Sequence, residues 1–198
     1  MNRWIVLLSL LPAAVGGCGV QATVLRAERG YLLTTEDVLV RPGEQADLRA
    51  QLRSGDLLGD VAGAVVRFRR ADGRLYRAAE TGAGGVAVVA YTPDAAGDYP
   101  LTVDVSPNGL PEPPPDPWTL LVACRRADEP MMIVDLDKTL VASGFDEVLL
   151  GDAEPMPESP RVMDRLAERY ATVYLTHRPG DLGPKSKGWL REQGFPQG

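Results

Sequence analysis

Between Ser106 and Trp118 stand Pro107, Pro111, Pro113, Pro114, Pro115 and Pro117. Each proline fixes its own φ and removes a backbone donor, so this stretch can be neither a helix interior nor a central strand and favours extended polyproline geometry. It divides the chain into two parts of different character and reads as a semi-rigid linker or a crossing segment. The apolar run that follows, Trp118 to Cys124, reads as a further strand. Such a strand either closes the first part or leads into the second.

Upstream, from Gly30 to Val105, short apolar stretches alternate with turn residues at the spacing of a small all-β sandwich. Val38 to Val40 runs into Arg41-Pro42-Gly43-Glu44, and Ala46 to Leu52 alternates sides. Val65 to Arg69 leads to Ala71-Asp72-Gly73-Arg74, where Asp-Gly between alternating stretches predicts a tight hairpin. Val86 to Tyr91 and Tyr99 to Val105 complete the set. The run Thr81-Gly82-Ala83-Gly84-Gly85-Val86-Ala87, followed by Tyr91-Thr92-Pro93 and Gly97-Asp98-Tyr99, resembles bacterial immunoglobulin-like modules of surface proteins. The resemblance implies an Ig-like β-sandwich over 30–124, acting as spacer or interaction module with a partner that the sequence does not name. Nothing in it groups a nucleophile with a base.

Downstream, Met131 to Val134 is apolar without alternation, which predicts a strand buried on both faces of a parallel sheet. It ends in Asp135-Leu136-Asp137-Lys138-Thr139. Ser159-Pro160 caps a helix over Arg161 to Tyr170, with Val162, Leu166 and Arg169 or Tyr170 near one face. A second strand, Thr172 to Leu175, ends in Thr176-His177-Arg178-Pro179, so the unit predicts a right-handed βαβ crossover. Carboxylates at the carboxyl end of such a strand lie where open α/β sheets place ligands.

Asp135-x-Asp137-x-Thr139 resembles the first motif of the haloacid dehalogenase (HAD) phosphohydrolases, and Thr176-x-Arg178-Pro179 resembles the second motif of their lipin-related phosphatidate phosphatases. Trp189 and the Phe195-Pro196-Gln197-Gly198 end extend the likeness over 130–198. The resemblance implies a partial α/β, Rossmannoid HAD-like domain. It assigns Asp135 as nucleophile and Asp137 as proton donor, with Mg2+ on the Asp135 carboxylate and the Asp137 backbone carbonyl, and gives phosphate contacts to Thr139, Thr176 and Arg178. A carboxylate nucleophile does need a cation before an anionic phosphate can approach. The plainer reading makes the aspartates a solvated strand end, Thr139 a turn residue, Arg178 a salt bridge at the sheet edge and Lys185 and Lys187 a solvated basic face. His177 reads as a local hydrogen-bonding residue. The family's later motifs, a lysine and a further acidic pair, do not occur before Gly198. A truncated or interrupted domain is therefore expected.

Residues 1–18 read as a signal peptide: Asn2-Arg3, an apolar run from Trp4 to Ala14, then Val15-Gly16-Gly17-Cys18, which resembles a lipobox. The run is shorter than the about 20 residues a membrane span needs. Lipidation at Cys18 would place the chain extracytoplasmically on the membrane surface of the cell envelope, or in the medium if Cys18 stays unmodified. Cys124 would then lack a disulfide partner and reads as a small buried strand residue. With net charge −6 and arginines scattered among carboxylates, no nucleic-acid partner is expected. The expected function is magnesium-dependent hydrolysis of a phosphomonoester, a phosphatidate-like lipid above all, through an aspartyl-phosphate. The alternative is a non-catalytic phosphatidate-binding or surface-interaction lipoprotein.

Overall fold

The structure, a computed structural model, describes residues 30–54, 59–111, 114–142, 153–176, 178 and 180–198. The signal peptide and Cys18, the stretch 143–152 and His177 lie outside the described residues. Ten strands are described, β1 (Tyr31–Thr35), β2 (Val38–Val40), β3 (Ala46–Ser54), β4 (Val65–Arg70), β5 (Leu75–Glu80), β6 (Val86–Tyr91), β7 (Gly97–Val105), β8 (Trp118–Cys124), β9 (Met131–Asp135) and β10 (Ala171–Leu175). Two α-helices are described with them, α1 (Ser159–Ala167) and α2 (Gly183–Glu192).

Strands β1 to β8 form a sandwich of a three-stranded sheet, β1-β3-β6, and a five-stranded sheet, β2-β8-β7-β4-β5. The period of two in β3 and β4 follows directly from their sequences. Leu48, Ala50 and Leu52 on one strand and Val66 and Phe68 on the other are fully or almost fully buried, while the residues between them reach solvent. Leu101, Val103, Leu120 and Val122 complete the same core. Each such side chain contributes about 1.5 to 3 kcal/mol on burial, so this core dominates the stability of the chain.

Turn residues act where the sequence places them. Gly43 and Gly73 take φ of 78°, the second in the β4–β5 hairpin. The chain changes sheets at Glu36-Asp37, between β1, which pairs with β3, and β2, which runs parallel to β8. The proline-rich stretch joins β7 to β8, an antiparallel pair at the centre of the five-stranded sheet. It therefore crosses within the sandwich, and Trp118–Cys124 is a strand of that sandwich. Cys124 is fully buried there, and desolvation pushes its thiol pKa up against the smaller opposing pull of Arg125.

The last part is a βαβ unit. β9 and β10 pair in parallel, Met131 opposite Ala171 through Asp135 opposite Leu175. Leu136, Leu140, Val141, Met163, Trp189 and Phe195 form its small core, with Met132, Val134 and Tyr174 packed on one side. The expectation of a strand buried on both faces is corrected here. Ile133 is 67% and Leu175 58% exposed, because helices cover one face only. The apolar stripe of α1 also turns by one position from the expected one, burying Met163 and leaving Val162 half exposed. The expected partial α/β, HAD-like domain is corrected to a mostly β chain, in which the βαβ unit adds, among the described residues, a parallel sheet of two strands, each an edge.

Candidate functional site

The carboxyl ends of β9 and β10 bring together three of the predicted site residues. Leu136 N–H donates to Leu175 O at 3.0 Å and prolongs the pairing by one residue. Asp137 follows, and its carboxylate meets the turn after β10. Arg178 Nη2 donates to Asp137 Oδ1 at 2.6 Å, Arg178 Nε to the same oxygen at 3.0 Å, and Thr176 Oγ1 to Asp137 Oδ2 at 3.2 Å. Arg178 Nη1 donates to Ser186 Oγ in the first turns of α2 at 3.0 Å. The Arg178 side chain is 2% exposed. Thr176 Oγ1 also accepts from Arg178 N–H at 3.2 Å, which ties the turn to itself.

Asp135 and Thr139 stand outside this cluster. Asp135 shares the uncovered face with Met131 and Ile133, and Thr139 is exposed in the turn after Lys138, whose φ is 63°. The Asp137 side chain is not open to a cation: both of its oxygens accept hydrogen bonds, one from a guanidinium at 2.6 Å, where a cation would be repelled. Among the described residues no group of three His, Cys, Asp or Glu side chains could hold a metal ion.

Two features escaped the sequence reading. Lys187, expected on a solvated face, donates from Nζ to Asp37 Oδ1 at 2.6 Å and to Thr119 O at 3.3 Å, joining α2 to the sandwich. The arginines are not scattered either. Arg67, Arg69, Arg70, Arg74 and Arg77 all lie on the β4–β5 hairpin. Asp104, buried in β7, pairs with both Arg67 and Arg69. Arg70, Arg74 and Arg77 surround Tyr76 in an open depression of about 340 Å³ with Asp72 and Leu75. The crowding of these five arginines within 11 residues was legible in the sequence, strand by strand.

No family model matches the chain, and no curated protein matches it. Solved structures similar to it are β-sandwich domains. The CARDB domain of a Pyrococcus furiosus protein aligns at 22% identity over 49% of this chain and 97% of that one, with TM-score 0.35. The D00-D0 domain of intimin aligns at 17% identity over 48% and 46%, with TM-score 0.37. The PKD domain of a human VPS10 domain-containing receptor aligns at 21% identity over 61% and 97%, with TM-score 0.34. These likenesses concern strand arrangement, and no activity is taken from them. The likeness to HAD phosphatases, and the phosphomonoester hydrolysis drawn from it, is corrected accordingly. The matches are to immunoglobulin-like sandwiches. The carboxylate assigned as proton donor is held in an ion pair.

Proposed function

We propose that the chain is a non-catalytic interaction protein of the cell envelope, with the β-sandwich as its working part and the βαβ unit docked on it as a support. The observation that carries this reading is the closure of Asp137. Two nitrogens of a buried guanidinium donate to Oδ1 of this carboxylate and Thr176 Oγ1 donates to Oδ2, so its charge is balanced and its position fixed, which suits a structural tie better than a proton donor. Phosphatidate binding through Arg178 is disfavoured for the same reason, since its fork is filled by Asp137 and Ser186. Lipidation at Cys18 would hold such a module at the membrane surface, with the sandwich facing outward.

The test uses the full chain with magnesium and a panel of phosphomonoesters, phosphatidate among them, alongside saturation binding to envelope material from its own cell. No turnover above the Asp137→Asn variant, together with saturable envelope binding that survives that substitution, is expected. Turnover that depends on Asp137 would overturn the proposal, as would an absence of saturable binding.

A further inference from the structure

The β4–β5 hairpin carries five of the chain's 21 basic residues in a protein of net charge −6. Two of the five are consumed structurally, since Asp104 lies directly opposite Arg67 in the β4–β7 register and ties both Arg67 and Arg69. The other three are spent differently. Arg74 faces Asp72 at 3.7 Å with 86% of its side chain exposed, a weak and screened contact. Arg70 and Arg77 form no ion pair among the described residues. Their guanidinium carbons stand 5.4 and 5.7 Å from the centroid of one ring, Tyr76.

That convergence is built into the backbone. A register shift between Phe68 and Arg69 places Leu75 opposite Arg69 and Arg77 opposite Phe68, so Tyr76 is the extra residue of a bulge. Bulges re-aim side chains and are frequent at sheet edges near binding sites. The Tyr76 ring is fixed in turn, its hydroxyl donating to Ala90 O at 2.9 Å and its edge meeting Tyr91 at 5.1 Å between centroids. Two like charges gathered on one anchored ring repel each other, and only part of that cost is offset by the ring's quadrupole. An anion between them removes the repulsion and gains charge-assisted, fork-shaped hydrogen bonds.

Beside this depression β5 is the edge of the five-stranded sheet, with Arg77 and Ala78 exposed. We infer that the hairpin is a docking site for an acidic, extended polypeptide segment. The segment lies along the β5 edge and sets a carboxylate between Arg70 and Arg77 over Tyr76. Edge-strand addition supplies main-chain hydrogen bonds, and the carboxylate supplies choice of partner. The site's concavity, with Asp72 among its lining residues, fits a single inserted side chain better than a plane of lipid headgroups.

The inference rests on the proposed interaction role and names the partner's chemistry. It is tested with the full chain in zwitterionic detergent and a fluorescent peptide of alternating Glu and Thr, read by anisotropy. Saturable binding is expected, absent for the Lys-for-Glu analogue and weakened by about tenfold or more in Arg70→Gln/Arg77→Gln. The exposed Arg70→Lys/Arg77→Lys pair keeps charge but loses the fork, and an intermediate loss is expected. Unchanged melting temperatures certify that the variants fold. Absence of peptide binding, binding indifferent to both variants, or tighter displacement by micelles of anionic lipid or by inorganic phosphate than by unlabelled peptide overturns the inference. Envelope binding that persists in Arg70→Gln/Arg77→Gln removes this site alone and leaves the interaction role standing.

Discussion

Lys187 Nζ of helix α2 lies 2.6 Å from Asp37 Oδ1, at the point where the chain leaves the three-stranded sheet for the five-stranded one. The same Asp37 oxygen accepts the Leu121 N–H at 2.7 Å, so one carboxylate serves both the sheet switch and the docking of the βαβ unit. The two halves of that role differ in energy. Both side chains are 32% exposed, so the ion pair is screened and Lys187→Ala should cost at most about 1 kcal/mol. Asp37→Ala also strands a partly buried backbone donor and should cost about 1 to 3 kcal/mol more. Urea unfolding of the two variants checks the order, and equal losses would show that Asp37 acts through Lys187 alone.

Asp137 and Arg178 predict a larger asymmetry. With its side chain 2% exposed, Arg178 depends on Asp137 for its counter-charge. Asp137→Ala leaves a buried, unpaired guanidinium and should destabilise the βαβ unit by about 3 to 5 kcal/mol. Removing both charges as Asp137→Ala/Arg178→Met should recover much of that loss. A double-mutant cycle by chemical denaturation measures the coupling. A coupling near zero would refute the tie.

The sandwich was legible in the sequence because its strands keep a period of two around residues such as Leu48, Leu52, Val66 and Phe68. The β4–β5 turn was legible for a local reason, Gly73 with positive φ. The meeting of Asp137, Thr176 and Arg178 follows from parallel pairing of two strand ends, and short apolar strands signal that pairing. What the residues alone did not reveal was the state of the cluster. Asp-x-Asp-x-Thr reads the same whether its second carboxylate is open or held by an arginine 41 positions away. The uncovered face of β9 was misjudged similarly. A continuous apolar run states what a strand could bury, and only the neighbouring elements decide whether Ile133 is covered. Lys187 with Asp37 is a contact across 150 positions, for which no local pattern exists.

Gly85 marks a position where backbone geometry, not packing, sets the residue. Its φ is 69°, and a Cβ there would stand 2.5 Å from Leu52 O and 3.2 Å from Val61 N. Gly85 O also accepts the Leu52 N–H at 2.8 Å, so the backbone cannot retreat without breaking a bond that fixes the end of β3. A tolerated Gly→Ala change stabilises by about 0.4 to 1 kcal/mol through the unfolded chain, whereas Gly85→Ala should be destabilising, its clash and φ strain together costing about 1 to 3 kcal/mol. Thermal unfolding checks it against Gly84→Ala, where a Cβ meets nothing within 4 Å. Equal losses at the two glycines would show that the close approach is relieved by a shift of the loop.

Tyr174 gives the βαβ unit a pH signature. Desolvation by burial, aided by the Asp164 charge, pushes its phenol pKa well above the ordinary 10.0. The hydroxyl donates to Pro196 O at 2.8 Å, a bond that only the neutral phenol can make. Above pH 10 the unfolded chain releases this proton while the folded chain retains it, so the unfolded state binds fewer protons and stability falls as pH rises. The contribution is complete below pH 10 and is lost progressively above it, toward the raised folded value. In Tyr174→Phe the alkaline slope should flatten, while stability at neutral pH drops by about 1 kcal/mol for the lost hydrogen bond. Unfolding midpoints between about pH 8 and 11 measure both effects. An alkaline slope unchanged in the variant would assign it to another group and would show Tyr174 to be more hydrated than its packing beside Phe195 implies.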